Sequence, residues 1–186
     1  AKETALVHVL PQSLLQHDAK FKERYTGLVS RQKQWLPGAA LPAQEVSQIG
    51  DRLVVRYPRG YYTSLNASLQ DGAQPLPPGK VRDHLEAIAN GLMEAAKTHQ
   101  GHFFMSPDFL FLDDKEELRI AGIGVFQSLQ YESFERIVSA TVVPISADRS
   151  RRFSSLEILS PEIRNFKTRD LRSDFYCIGM CAYFML

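Results

Sequence analysis

Cysteine is scarce: two among 186 residues, Cys177 and Cys181. They stand four apart in an apolar stretch, on one face of any helix there. An intact helix does not offer the geometry for a bridge between them. Two reduced, buried thiols are expected, which suits a reducing compartment. With no further ligands close by in sequence, no metal site is expected. Net charge is equally scant. Twenty-two Lys and Arg against 21 Asp and Glu leave +1, so charge gives no case for a nucleic-acid or polybasic membrane partner. No apolar run reaches the length that spans a bilayer. No signal-peptide pattern opens the chain. What is present is an ordinary globular balance, 44% hydrophobic and 23% charged, with enough residues for one domain and a sizeable core.

The stretch with the strongest pattern is the last one. From Phe175 to Leu186 every residue is apolar or Gly, as in a helix buried on all sides. The polar block Arg169-Asp170-Leu171-Arg172-Ser173-Asp174 precedes it, and Ser173 or Asp174 is placed to cap the helix. Ser160-Pro161-Glu162 ends a Ser-rich stretch upstream. This region resembles the C-lobe of the protein-kinase fold. Ser160-Pro161-Glu162 is similar to the family's A-P-E motif, and Asp170 to Gly179 to its D-x-R-S-D-x-Y-x-x-G helix start. The resemblance implies that Glu162 and Asp174 are frame residues. It also implies that Asp174 ties the buried helix to the backbone of the catalytic loop.

Other stretches fall in the same order. Ala5 to Leu10 reads as a strand. In the kinase order it is the third strand of the N-lobe, with His8 where V-A-I-K has its phosphate-pairing lysine. Taken alone, it is an ordinary strand with one polar residue. Ser13 to about Gln34 is helical by the spacing of Leu14, Phe21, Tyr25, Leu28 and Val29. Glu23 or Arg24 falls near the lysine's usual partner, and Trp35-Leu36-Pro37-Gly38 ends the helix. Glu45 to Ile49 and Arg52 to Tyr57 form a hairpin through Gly50-Asp51. Tyr61 to Leu65 starts a short helix, and Gln70 to Gly79 is a Pro/Gly loop. Lys80 to His99 is an amphipathic helix with Val81, Leu85, Ile88 and Leu92 on its apolar side.

Phosphoryl transfer needs hard oxygen ligands for Mg²⁺ and an acid to orient the acceptor hydroxyl. His102 to Phe109 lines up with H-R-D-L-K-P-x-N. The resemblance then puts Phe104 at the catalytic Asp, Ser106 at the lysine and Phe109 at the metal-binding Asn. Lys97 to Pro107 contains no acidic residue, so a small slip of register changes nothing. Leu110 to Ile120 reads as a hairpin with Asp113 and Asp114 in its turn. Ala121-Gly122-Ile123-Gly124 follows where a kinase has A-D-F-G, with Gly122 replacing the metal-binding Asp.

The resemblance therefore implies a degenerate, bacterial Ser/Thr-type kinase fold, a pseudokinase. The expected class is α+β and two-lobed. Residues 1–58 form a reduced N-lobe, a small antiparallel sheet plus one helix. Residues 59–186 form a partial, mainly helical C-lobe that stops at the central buried helix. Four chemical positions are altered together (His8, Phe104, Phe109 and Gly122), while Glu162 and Asp174 are kept. The expected function is a cytoplasmic regulatory scaffold that binds protein, with no cofactor, no metal and no Mg·ATP. Phe103, Phe104 and Phe109 would plug the former nucleotide region. The alternative is an atypical phosphoryl or nucleotidyl transferase using His8, His102, Asp108 or Asp113. Val125 to Leu159 corresponds to the activation segment, expected as a solvated loop. It holds Ser128, Ser133, Ser139, Thr141, Ser146, Ser150, Ser154 and Ser155, and Arg151-Arg152-Phe153-Ser154 resembles a phosphoacceptor site at Ser154. An uncovered apolar helix at the C-terminal end implies a longer chain, a partner, or a homodimer or domain exchange through that helix.

Overall fold

Three strands build the first sheet. The computed structural model describes residues 4–10, 12–32, 38–68, 75–140, 159–165 and 169–186. Strands β1 (Thr4–Val9), β2 (Glu45–Ile49) and β3 (Arg52–Gly60) pair antiparallel in the order β1-β3-β2. In β3 the inward residues Leu53, Val55 and Tyr57 are buried and alternate with outward Arg52, Val54 and Arg56, as the period of two requires. Gly50 makes the β2–β3 turn at a φ of 61°, a conformation that Gly adopts at little cost.

Against the inner side of this sheet lie α1 (Gln12–His17) and α2 (Phe21–Gln32). The single helix expected from Ser13 to Gln34 is thus two helices. Asp18 divides them. Its side chain is buried, pairs with Arg24 and accepts the Gln130 amide at 2.9 Å. Its carbonyl accepts the Phe21 amide at 3.0 Å. Holding a residue 112 positions away takes Asp18 out of the helical path. Trp35, Leu36 and Pro37 lie outside the described residues.

A second antiparallel sheet has the order β4-β5-β6, from Thr63–Ser64, Leu110–Leu112 and Leu118–Ile120. Thr63 and Ser64 are thus strand where a helix start was expected, and the short helix α3 is Leu65–Ser68. Segment 39–41 joins this sheet to the chain that leads into β2: Leu41 N–H donates to Ile120 O, and Ile120 N–H to Ala39 O, both at 2.7 Å. Helix α4 (Pro78–Lys97) opens with Pro in its first turn, where the missing N–H costs nothing. It buries Val81, His84, Ile88, Gly91, Leu92 and Ala95. Gly91 allows the close approach to segment 39–41, since a Cβ there would stand 3.1 Å from Ala40 N.

Tyr131–Ala140 is a helix, α5, preceded by a 3-10 turn at Phe126–Ser128. This corrects the solvated loop expected from Val125. Ser128 and Ser133 are buried, so neither offers an open hydroxyl. Ser139 lies within α5. Thr141, Ser146, Ser150, Ser154 and Ser155 lie outside the described residues. Helix α6 is Pro161–Arg164, capped by Ser160, whose Oγ accepts the Ile163 amide at 3.3 Å. Helix α7 is Leu171–Met185, and its cap is Asp170, not Ser173 or Asp174. The Asp170 carboxylate accepts the Arg172 amide at 2.9 Å. Nor is α7 buried on every side. Cys177, Ile178, Cys181 and Met185 pack toward α4, while Phe175, Tyr176 and Tyr183 face outward.

Among the described residues, apolar burial is divided between two clusters. One joins α1, α2, the first sheet and residues 121–134. The other joins α4, the second sheet and α7. The architecture is mixed α+β with small antiparallel sheets. Among the described residues no helix is long and apolar enough to cross a membrane.

Candidate functional site

Loop 101–109 is held from a distance. Asp174, fully buried in the first turn of α7, accepts the His102 amide at 2.9 Å through Oδ2 and the Phe103 amide at 2.6 Å through Oδ1. Burial pushes its pKa up to about 7, against the pull of these two amides. Phe103 takes a left-handed backbone, φ 63°, a strain a bulky residue accepts only where its surroundings dictate it. Gly101 beside it has no room for a side chain: a Cβ would meet the Phe103 ring at 2.6 Å.

Loop 121–126 faces this one. Gly122 has a φ of 82° and Gly124 of 86°. The Gly122 amide donates to Tyr57 Oη at 2.9 Å, and the Gly124 amide to Gly101 O at 3.0 Å. His102 Nε2 lies 3.0 Å from Ala121 O. A carbonyl only accepts, so Nε2 carries the proton and Nδ1 is bare. Nδ1 is buried and has no partner among the described residues. Burial takes the His102 pKa down to about 3, so the ring is neutral.

Between the loops stand aromatic rings. Phe109 lies 4.7 Å from His102, 5.6 Å from His8 and 5.9 Å from Phe126, centroid to centroid. Phe126 lies 4.5 Å from Phe104. His8 also sits against Tyr57 at 5.2 Å and Phe111 at 5.4 Å. Its Nδ1 is buried without a partner among the described residues. Burial holds its pKa below the usual imidazole range, with Asp108 opposing. Edge-on and tilted rings at these distances attract beyond their apolar burial. His8, Phe104, Phe109 and Gly122 thus meet around one aromatic cluster. Phe104 is buried, while Phe103 and Phe109 are partly buried.

Other candidate residues are elsewhere or already engaged. Asp108 is exposed in the 3-10 turn Pro107–Phe109. Asp113 is the organiser of the β5–β6 turn. Its Oδ1 accepts the Lys115 and Glu117 amides at 2.9 Å, and its Oδ2 accepts Arg119 Nη2 at 2.6 Å. Burial raises its pKa, and Arg119 with the two amides more than reverses that. Glu162 is exposed in the first turn of α6. Glu23 is exposed, while Arg24 Nε donates to Ser128 O at 2.7 Å. Ser154 lies outside the described residues. Burial pushes the Cys181 thiol up to about 12 and raises Cys177 as well, which leaves both unreactive. Among the described residues no cluster of three His, Cys, Asp or Glu is arranged to hold a metal. Two surface grooves, about 660 and 370 Å³, lie along Lys80, His84 and Glu116 and along Pro42, Tyr61 and Tyr62. Neither is lined by His8, Phe104, Phe109 or Gly122.

Sequence reasoning overlooked three members of this arrangement. Gln32 is buried on α2; its Oε1 accepts the Ala43 amide at 2.9 Å, and its Nε2 donates to Ile123 O at 2.8 Å and Gln100 Oε1 at 3.0 Å. Its place after Phe21, Tyr25 and Leu28 on the apolar face was the signal. Tyr57 continues the inward alternation of Leu53 and Val55. Phe126 follows the Gly124 turn at once and had no periodic signal. No family model matches the chain, and no curated protein matches it.

Proposed function

We propose that this chain is a degenerate protein-kinase-like module, two-lobed about residues 58–59, that works in the cytoplasm by binding another protein and transfers no phosphate. One observation carries the reading: Phe109 fills the space beside Gly122. A metal-binding carboxylate at 122 and an amide at 109 would have to converge there to hold Mg²⁺. An aromatic ring and a bare glycine offer no hard oxygen donor. The Asp174 contact to the His102 and Phe103 amides supports the same reading, because the resemblance implies that link for a residue of the frame. A scaffold that keeps this tie while carrying apolar rings at the chemical positions suits recognition rather than catalysis.

The test is a thermal melt of the protein with and without Mg·ATP. The expected result is an unchanged melting temperature. A ligand at a hundred times its Kd adds roughly 2.7 kcal/mol to stability. A clear rise that requires both nucleotide and Mg²⁺ would overturn the proposal.

A further inference from the structure

Arg169 is a half-buried cation that has no anionic partner among the described residues. It stands just before α7, and its Nη1 donates to Phe126 O at 2.9 Å and, more weakly, to Leu129 O at 3.4 Å. Its guanidinium lies 4.8 Å from the centroid of the Phe134 ring. The adjacent carboxylate, Asp170, is paired with Arg172 at 2.6 Å. Among the described residues Arg169 makes no ion pair. Carbonyls and a ring face compensate only part of the cost of burying the charge. These contacts fall on the chain around the start of α5.

Tyr131 is the first residue of α5, two positions after Leu129 and three before Phe134. Residues three apart on a helix share a face, so Tyr131 is on the side of α5 that Arg169 covers. A helical side chain of this length leans back toward the N-terminal end, here toward Leu129, where the guanidinium sits. Tyr131 is 41% exposed, so it lies at the protein surface. Burial lowers the Arg169 pKa and the nearby Tyr131 opposes that, so a charge placed on Tyr131 also acts on Arg169.

We infer that Tyr131 is a phosphoacceptor whose phosphate is received by Arg169. In the transfer, Tyr131 Oη attacks the γ-phosphorus of a nucleoside triphosphate held by a separate tyrosine kinase. The new O–P bond forms as the bond to the diphosphate leaving group breaks. The phenolic proton is released, and a nucleoside diphosphate departs. The phosphate then gives Arg169 the charge-assisted hydrogen bonds it lacks and ties α5 to the start of α7. This inference is independent of the function proposed above.

The experiment treats the folded protein with a broad-specificity tyrosine kinase and ATP, maps phosphate by mass spectrometry, and titrates the product by ³¹P NMR. Phosphate is expected at Tyr131 and absent there in Tyr131→Phe. Its second ionisation is expected clearly below the ordinary value of about 6. The melting temperature should rise about 2–4 °C on modification, and the rise should vanish in Arg169→Gln. If Arg169→Gln does not fold, the ³¹P midpoint in the parent protein decides. Labelling of exposed Tyr183 with none at Tyr131 would overturn the inference. So would a phosphate at Tyr131 with an ordinary midpoint.

Discussion

The Phe109 ring occupies the place a side chain on Gly122 would need: a Cβ on Gly122 would lie 2.6 Å from Phe109 Cδ1. The same Cβ would stand 3.1 Å from His102 Nε2, on a backbone with a φ of 82°. Gly122→Ala is therefore expected to cost about 2–4 kcal/mol, from left-handed strain and overpacking together. In a Phe109→Leu background the overpacking is relieved while the strain stays. The double mutant should be more stable than the sum of the two single costs by about 1 kcal/mol. Urea melts of the four proteins measure this, and strictly additive costs would show that the ring and the glycine do not depend on each other.

Gln32 serves three groups at once, and all are away from water. Gln32→Leu keeps the volume but strands the Ala43 amide, the Ile123 carbonyl and the Gln100 amide oxygen. Each stranded group costs about 1–3 kcal/mol, and relaxation recovers part of the sum. A loss of about 3 kcal/mol is expected, with faster amide exchange at Ala43. Ser30→Ala, which removes only an exposed bond to Gly27 O, should stay close to the parent. Similar losses in the two variants would contradict this account of Gln32.

Asp174 of α7 holds the loop that carries His102, and the two groups titrate in opposite senses. Folded Asp174 keeps its proton up to about pH 7, while the unfolded chain gives it up near 3.8. Its contribution is complete below about pH 4 and fades as pH rises to 7. Folded His102 stays neutral down to about pH 3, while the unfolded ring takes a proton near 6.5. Its contribution is complete above 6.5 and fades as pH falls toward 3. Between about pH 4 and 6.5 the two slopes oppose. Each is about 1.4 kcal/mol per pH unit at full strength. Asp174→Asn should therefore lose stability relative to the parent as pH is lowered from 6.5. His102→Gln should lose it as pH is raised from 4. Urea midpoints across that range decide. Parallel profiles for parent and both variants would show that neither group titrates as described.

The elements that could be read directly were those whose cause is local. Gly50-Asp51 between two short strand-like runs announces the β2–β3 turn, and Asp113-Asp114 the β5–β6 turn. Both hairpins depend on neighbours in sequence. The break at Asp18 was hidden because its cause is the Gln130 amide, far along the chain. Asp170 was passed over as a cap because Ser173 and Asp174 have equally suitable oxygens. The tie of Asp174 to the loop backbone, which the kinase resemblance implied, takes both of its oxygens, on the His102 and Phe103 amides. Helix α5 falls in the stretch from Val125 to Leu159, which was expected as a loop. At the candidate site, the order of stretches pointed to His8, Phe104, Phe109 and Gly122. That Phe126 and Tyr57 complete the cluster is a matter of packing, which no single stretch reveals.

Helix α2 grips segment 123–128 twice, through Arg24 at Ser128 and through Gln32 at Ile123. Eight residues of helix put the two grips about 12 Å apart. A rod pinned at one end can swing; a rod pinned at both must tear free of each in the same event. Small excursions of α2 are suppressed as a result, and whatever loosens this boundary does so in a single step.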